Sequence, residues 1–543
     1  MVENFLTVKN LTKEFISGIP VIRDVSFAVK EGTSFGFLGK SGSGKSVLMQ
    51  SIRGMEGYEP TYGSIVFNIA HCPNCNRVEY PSMDGEPCPR CSTKMSSVEI
   101  DYWDGLKRQD RIALGIFNRI ALMPQRGFAL YSEISALENI TKVLEGIGYP
   151  KEKMKDRAIN VLKKVRLGHR IYHLGRNLSG GEKQRVIFSL CLIRDPLLFL
   201  ADEPTGTMDP ITSDIVHKII KESISESGIS FVLTSHWPEA VKLLSDEAAL
   251  LDYGEIIVKG NPDDVYNAFV ERIEEMHVER FEGGEPTVRC EHIKKYYYTF
   301  DRGLTKAVDD VSIDIKENEI FGLVGLSGSG KTSLADMIMG IKPVTVGSIR
   351  VRSGDQWIDM TVPGPDGRGI ATPFMDILHQ EYSMHEGEIV LENLIGGIKE
   401  DIPDEEKLER AYGVMRAMNF KDDEIDKIIY MFPGELSEGE RHRVSIAIAL
   451  MKNPKIILLD EPTGTADPIT RIEIAKGIRS ARDELKQTYL VISHDIDFIK
   501  MVCDRAMYVR YGKIMNIGDP EKMVDLMIKT ETEALKKEIA EEV

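Results

Sequence analysis

Two stretches of this chain have the residue types and spacing to hold a polyphosphate. Gly39-Lys40-Ser41-Gly42-Ser43-Gly44-Lys45-Ser46 fits G-x-x-x-x-G-K-[ST], and Gly325-Leu326-Ser327-Gly328-Ser329-Gly330-Lys331-Thr332 repeats it 286 residues later. The glycines let backbone N–H groups ring an anion at a helix N-terminus, where the helix dipole adds positive charge. Lys45 and Lys331 can reach β- and γ-phosphates, and the Ser46 and Thr332 hydroxyls can ligate Mg²⁺. Further along, each half ends an apolar run in two carboxylates, Asp202-Glu203 and Asp460-Glu461. One can hold the Mg²⁺ shell while the other orients or deprotonates water, which is what phosphoryl transfer requires. Ser179-Gly180-Gly181 precedes an apolar helix and aims a hydroxyl and N–H groups at an anion; Ser437-Glu438-Gly439 is its counterpart.

A second chemistry is confined to the first half. Cys72-Pro73-Asn74-Cys75 and Cys88-Pro89-Arg90-Cys91 spell C-x₂-C-x₁₂-C-x₂-C. Two tight knuckles bring four thiolates to tetrahedral spacing, which suits Zn²⁺, with iron the alternative that thiolates alone leave open. Four sulfurs close the coordination shell, so the metal is structural. The adjacent His71 reads as a surface residue, and Cys191, Cys290 and Cys503 read as small buried hydrophobes.

The elements that must position these groups can be read from pattern. The apolar run Ser34 to Leu38 is a buried strand leading into the first loop, and Val47-Leu48-Met49 opens its helix. Residues 5–38 alternate apolar and polar with turns at Gly18-Ile19-Pro20 and Glu31-Gly32, predicting an antiparallel hairpin layer. Residues 133–170 are helical in period, with Leu137, Ile140, Val143 and Leu144 on one stripe. Strands end at Met123, at Asp202 and at Thr234, the last just before Ser235-His236.

Spacing then shows a repeat at domain scale. Signature serine to aspartate is 23 residues in both halves, and aspartate to His236 or His494 is 34. Lys45 to Gln125 is 80, but Lys331 to Gln380 is 49. The surplus of 31 matches the cysteine segment, which is therefore an insertion into a complete unit. The expected organisation is α/β throughout. A first domain spans 1–260 with a zinc ribbon at about 70–100, a linker 261–286 ends in the breaker Gly283-Gly284-Glu285-Pro286, a second domain spans 287–528, and a charged tail spans 529–543.

Of 543 residues, 42% are hydrophobic and 28% charged, an ordinary globular balance. No apolar run approaches the ~20 residues that span a bilayer, and the N-terminus has no signal-like segment, so a cytoplasmic protein is expected. The net charge of −17 argues against nucleic acid as a partner.

The motif order resembles the ATP-binding-cassette ATPase family. It runs phosphate loop, glutamine loop at Gln125, signature Leu178-Ser179-Gly180-Gly181-Glu182, Asp202-Glu203 strand, Asp209 loop and His236 switch. Gln380, Leu436-Ser437-Glu438-Gly439-Glu440, Asp460-Glu461, Asp467 and His494 repeat it, so the resemblance covers essentially the whole chain. It implies tandem cassettes, each with a helical subdomain, closing head-to-tail over two ATPs. Lys45 and Ser46 would then face Ser437 and Gly439, and Lys331 and Thr332 would face Ser179, Gly180 and Gly181. Gly39, Ser41, Gly42 and Gly44, like Gly325, Ser327, Gly328 and Gly330, would line the phosphates. Glu203 and Glu461 would be the catalytic carboxylates, His236 and His494 would contact the γ-phosphate, and Asp202 and Asp460 would serve the nucleotide site. Gln125 and Gln380 would sense Mg²⁺ and the attacking water, and Phe15 and Tyr297 would stack on adenine. Glu438 departs from the family's usual glycine.

Within that family the layout is similar to the ATPases that activate methyl-coenzyme M reductase in methanogens. The length, two intact cassettes, the ribbon and the runs at 201–207 and 459–465 carry this likeness. It implies methyl-coenzyme M reductase and its activation-complex proteins as partners, with ATP driving reductive activation. Importer ATPases for peptide, metal or sugar, and translation-associated twin cassettes, are the alternatives. The ribbon is unusual for the former, and the short linker for the latter.

Overall fold

A computed structural model of the chain describes residues 4–124, 130–206, 208, 210–274, 276, 278–299, 303–379, 384–398, 402–464 and 466–541. They form two compact units, 1–208 with 212–273, and 209–211 with 274–543.

In the first unit an antiparallel layer is made of β1 (Asn4–Ile16), β2 (Ile19–Lys30), β4 (Tyr62–His71), β5 (Val78–Glu79) and β6 (Ser96–Asp101). Its order is β2-β1-β4-β5, with β6 also paired to β4. Beside it, β3 (Ser34–Leu38), β7 (Ile120–Met123), β8 (Leu198–Asp202), β9 (Ser230–Ser235), β10 (Glu247–Asp252) and β11 (Glu255–Gly260) run in the order β11-β10-β3-β9-β8-β7. All pairings in this sheet are parallel except β10 with β11. Continuous apolar runs in β8 and β9 are what a strand covered on both faces needs. The helices are α1 (Lys45–Arg53), α2 (Tyr102–Lys107), α3 (Arg111–Asn118), α4 (Ala136–Gly146), α5 (Lys151–Lys164), α6 (Gly180–Leu192), α7 (Pro210–Ser227), α8 (Pro238–Leu244) and α9 (Pro262–Val270). One core, with Phe5, Phe27, Phe37 and Phe67, joins the antiparallel layer to the sheet; another, with Leu144, Leu162, Phe188 and Phe199, joins the α4–α6 arm to it.

The second unit repeats this plan. β12 (Pro286–Thr299), β13 (Gly303–Lys316), β15 (Val346–Ser353) and β16 (Gln356–Asp359) make the antiparallel layer. β14 (Ile320–Val324), β17 (Met375–Leu378), β18 (Ile456–Asp460), β19 (Thr488–Ile492), β20 (Arg505–Arg510) and β21 (Lys513–Gly518) make the core sheet, ordered β17-β18-β19-β14-β20-β21. Its helices are α10 (Lys331–Ile338), α11 (Val390–Gly396), α12 (Asp404–Ala417), α13 (Asp422–Ile428), α14 (Glu438–Leu450), α15 (Pro468–Leu485), α16 (Ile496–Val502) and α17 (Pro520–Glu541).

The helical period over 133–170 is borne out as two helices, α4 and α5, parted where Gly148 takes a left-handed φ of 70° and Pro150 removes a donor. Two expected bounds need revising. The linker begins later than residue 261, since α9 packs Val265 and Phe269 into the first unit. Its end is strapped down: the Phe281 N–H donates to Asp504, 3.0 Å, and Arg280 donates to the Cys503 carbonyl. The first residues of the 529–543 tail are not separate from the second domain. α17 runs through residue 528, and Glu531 is buried, accepting from the Tyr508 hydroxyl at 2.5 Å.

The ribbon grows from the β4–β6 hairpin: residues 72–95 stand where β15 and β16 are joined by Gly354 and Asp355 alone. Its base is tied to the N-terminal ends of the core strands. The Tyr80 hydroxyl donates to the Leu197 carbonyl and accepts from the Ser230 N–H at 2.7 Å, and Arg119 pairs with Glu79 at 3.3 Å. The phosphate loop lies at the other end of that sheet, after β3.

Candidate active sites and metal centre

Each phosphate loop joins a core strand to a helix, β3 to α1 and β14 to α10. Gly44 and Gly330 precede those helices at φ 98° and 107°. A Cβ there would come within 2.9 Å of the Val21 carbonyl or 2.1 Å of the Ala307 carbonyl, so only glycine fits. Lys45 Nζ donates to the Gly39 and Lys40 carbonyls, 2.9 and 2.8 Å, and Lys331 Nζ to Gly325 and Leu326, 2.8 and 3.0 Å. The ammonium groups are thus held over their own loops, where a phosphate would lie.

The carboxylates arrive from β8 and β18. Asp202 accepts from Thr234 at 2.6 Å and also from Ser46, so the proposed Mg²⁺ hydroxyl and aspartate meet. Burial, reinforced by Glu203, pushes its pKa up; burial and Glu461 do the same to Asp460. Glu203 and Glu461 both sit at positive φ, 52° and 55°, a strained conformation that non-glycine residues adopt where the surroundings impose it. Lys45 Nζ is 3.5 Å from Glu203, and His236 contacts Glu203 directly. Burial alone would raise the Glu203 and Glu461 pKa values. The facing His236 or His494 outweighs it, with Lys45 or Lys331 adding to the effect, and both carboxyls lie below the usual range. His494 Nδ1 is 2.8 Å from Glu461, which also accepts the His494 N–H at 3.1 Å and the Ser493 hydroxyl at 3.1 Å.

The signature serines are helix N-caps. Ser179 accepts from the Glu182 N–H at 3.3 Å, and Glu182 accepts from the Ser179 N–H at 2.7 Å; Ser437 and Glu440 form the same box. Gly181 lies against α7 and Gly439 against α15: an added Cβ would meet Thr212 at 2.4 Å or Glu473 at 2.9 Å. Gly180 faces open space, which explains how Glu438 is accommodated at the equivalent place. There the carboxylate stands 3.8 Å from His442. Phe15 is exposed at the end of β1 with Lys13 over its ring, and Tyr297 is half-buried with Lys295 over its own. Gln125, Gln380 and Asp209 fall outside the described residues. Asp467 caps α15, accepting from Thr470 N–H at 3.1 Å.

Sequence reading missed one recurrent contact. Gln184 donates to the Pro204 carbonyl at 2.6 Å, and His442 meets the Pro462 carbonyl at 2.9 Å, tying each signature helix to the turn after its glutamate. The shared spacing of 20 residues was the available signal.

The two cassettes thus carry the same phosphate-loop, carboxylate, histidine and signature arrangement on the same fold. The ABC transporter family model matches residues 22–206 and 308–464. The chain belongs to the ABC transporter family. ABC cassettes hydrolyse ATP, and this chain has two. It is 45% identical over 532 residues, 98% of both chains, to ABC transporter ATP-binding protein MJ1242 of Methanocaldococcus jannaschii. It is 27% identical, again over 98% of each chain, to ABC transporter ATP-binding protein MJ1662 of the same organism. Its fold is similar to that of archaeal ABCE1 in a model of ribosome-bound Pelota and ABCE1 (TM-score 0.64, 20% identity, 96% of this chain and 80% of that one). No helix among the described residues is long and apolar enough to cross a membrane.

The four cysteine sulfurs all lie within 4.8 Å of one another. Cys72–Cys91 is 3.4 Å, and Cys75–Cys88 and Cys75–Cys91 are 3.6 Å. Four sulfurs bonded to one Zn²⁺ sit about 3.8 Å apart, so the set fits the ion. The knuckles are alike: Asn76 and Ser92 have φ 55° and 61°, and their N–H groups donate to Cys72 and Cys88 carbonyls at 2.9 and 2.8 Å. Ala70 and Met95 complete a small core around the cysteines.

Proposed function

We propose that ATP binding closes the cassettes over two composite sites, that hydrolysis reopens them, and that this stroke does work on a protein partner in the cytoplasm. Glu203 and Glu461 act as the catalytic carboxylates, with His236 and His494 contacting the γ-phosphate and Gln125 and Gln380 sensing Mg²⁺ and the attacking water. Mg²⁺ is held at Ser46 and Thr332 opposite Asp202 and Asp460, and Phe15 and Tyr297 carry the adenine. The partner is methyl-coenzyme M reductase with its activation complex, and the chain is the ATPase component, A-two. Electrons come from other proteins.

The observation that carries this reading is the combination of two cassettes with the same motif residues, Glu438 apart, and a four-cysteine knuckle in the first cassette only. Matched sites suit a full stroke, and the single knuckle gives the stroke a polarity. A full-length relative in Methanocaldococcus jannaschii supports the setting. Anchored at the strand ends remote from the phosphate loop, the ribbon serves as a rigid platform and not as a nucleotide sensor. Replacing residues 72–95 by the two-residue turn of the β15–β16 hairpin tests this. Retained ATPase with lost reductase activation supports ribbon docking, and full activation removes it. Copurification with membrane permease subunits, and none with the reductase, would favour an importer instead.

A further inference from the structure

The helical arms of the two cassettes occupy equivalent places, between the β7 or β17 edge strand and the signature helix, yet they carry opposite charge. Residues 136–177 hold ten Lys and Arg against four Asp and Glu, whereas residues 390–435 hold six against twelve. The arms are therefore +6 and −6 in a chain of net −17. The contrast lies on solvent-facing positions. In α5, Met154, Ala158, Val161 and Leu162 are buried, while Lys151, Lys153, Lys155, Arg157, Lys163 and Lys164 are exposed. At the same place α12 begins Asp404-Glu405-Glu406.

Internal pairing does not cancel the basic arm. Lys164 meets Glu226 at 3.7 Å, Arg166 meets Glu222 at 2.9 Å, Arg170 meets Glu182 at 2.7 Å and Arg176 meets Glu133 at 2.8 Å. Among the described residues no carboxylate forms an ion pair with Lys153, Lys155, Arg157 or Lys163. Tyr172 stands out from the same arm, 69% exposed, and Tyr131, 62% exposed, lies just ahead of it with Lys142 Nζ 4.5 Å over its ring.

We propose that this basic arm docks an acidic surface of a folded protein. Exposed tyrosines with surrounding cations are the composition of a protein interface, in which aromatics anchor and charges steer. A long polyanion is disfavoured, because beyond the ~10 Å screening length of 0.1 M salt it would run onto a chain that is acidic overall. A compact acidic patch need only match α5, whose 14 residues span about 21 Å. The proposal names the chemistry of the partner that the proposed function requires, and rests on that reading only for there being a partner.

The test reverses Lys153, Lys155, Arg157 and Lys163 to Glu in the full chain, with Lys9, Lys30, Lys107 and Arg108 reversed as a matched control. Binding of a labelled six-residue polyglutamate peptide, about 20 Å when extended, and of a six-nucleotide single-stranded DNA is measured at low and high salt, with ATPase rate alongside. The expected result is peptide binding that weakens about tenfold in the arm variant but not in the control, falls with salt, and leaves ATPase unchanged. Equal loss in arm and control variants, no peptide binding, or DNA binding tighter than peptide with the same loss on reversal, would each overturn it. If the arm binds the peptide but purified methyl-coenzyme M reductase does not bind the chain, the surface reading stands and the reductase assignment falls.

Discussion

Glu461 Oε2 lies 2.8 Å from His494 Nδ1, at the end of a strand that its own backbone leaves at φ 55°. Glu203 and His236 repeat the contact, the histidine only 1% exposed. In the proposed mechanism a carboxylate fixed this way, and held below the usual pKa range by its histidine, would act on water beside a γ-phosphate. Changing Glu203 and Glu461 to Gln should leave Mg-ATP binding intact and lower turnover by about 10²–10⁴-fold. Wild-type turnover in the double variant, measured by phosphate release, would remove both residues from the mechanism.

Purified protein should contain one metal per chain, zinc by elemental analysis, and Cys72→Ser should lose it. ATPase activity should survive that loss, since the knuckles stand at the opposite end of the core sheet from the phosphate loop. A metal-free wild type that is folded and active would exclude the structural role.

Adjacent signature glycines should respond differently. Gly181→Ala puts a methyl within 2.4 Å of Thr212 and should cost about 1–3 kcal/mol, whereas Gly180→Ala meets nothing and should be neutral or gain up to about 1 kcal/mol. Denaturant unfolding of the two variants reads this directly. Equal losses would contradict the packing of α6 on α7.

Asp504 is fully buried between Arg482 at 2.8 Å and Arg479 at 3.5 Å, and it accepts the Phe281 and Ile320 N–H groups. Asp504→Ala leaves buried Arg479 without a carboxylate and Arg482 with Asp483 alone, at 2.6 Å, and frees the linker strap. A loss of about 3–5 kcal/mol is expected, with faster proteolysis near residue 281. An unchanged unfolding transition and proteolytic pattern would show that the cluster holds nothing.

How much of this was legible in the sequence depends on the range of each interaction. The phosphate loops, Asp-Glu strands, signature caps and cysteine knuckles are local: glycine torsions, an N-cap serine and a C-x₂-C turn act within a few residues, so residue type and spacing suffice. The equal spacings of 23 and 34 fixed the repeat for the same reason, and the unequal 80 and 49 located the insertion. What the ribbon stands on was decided only by folding. Tyr80 finds the Leu197 carbonyl 117 residues away and the Ser230 N–H 150 residues away, and nothing in the neighbourhood of Tyr80 encodes those partners. The bounds of the linker and tail were set on the same ground: the Phe281 N–H finds Asp504 and Glu531 takes the Tyr508 hydroxyl, 223 and 23 residues away. The strain at Glu203 and Glu461 was equally hidden: positive φ on a glutamate is imposed by the strand end and the histidine packed against it, not by the residue's own preference.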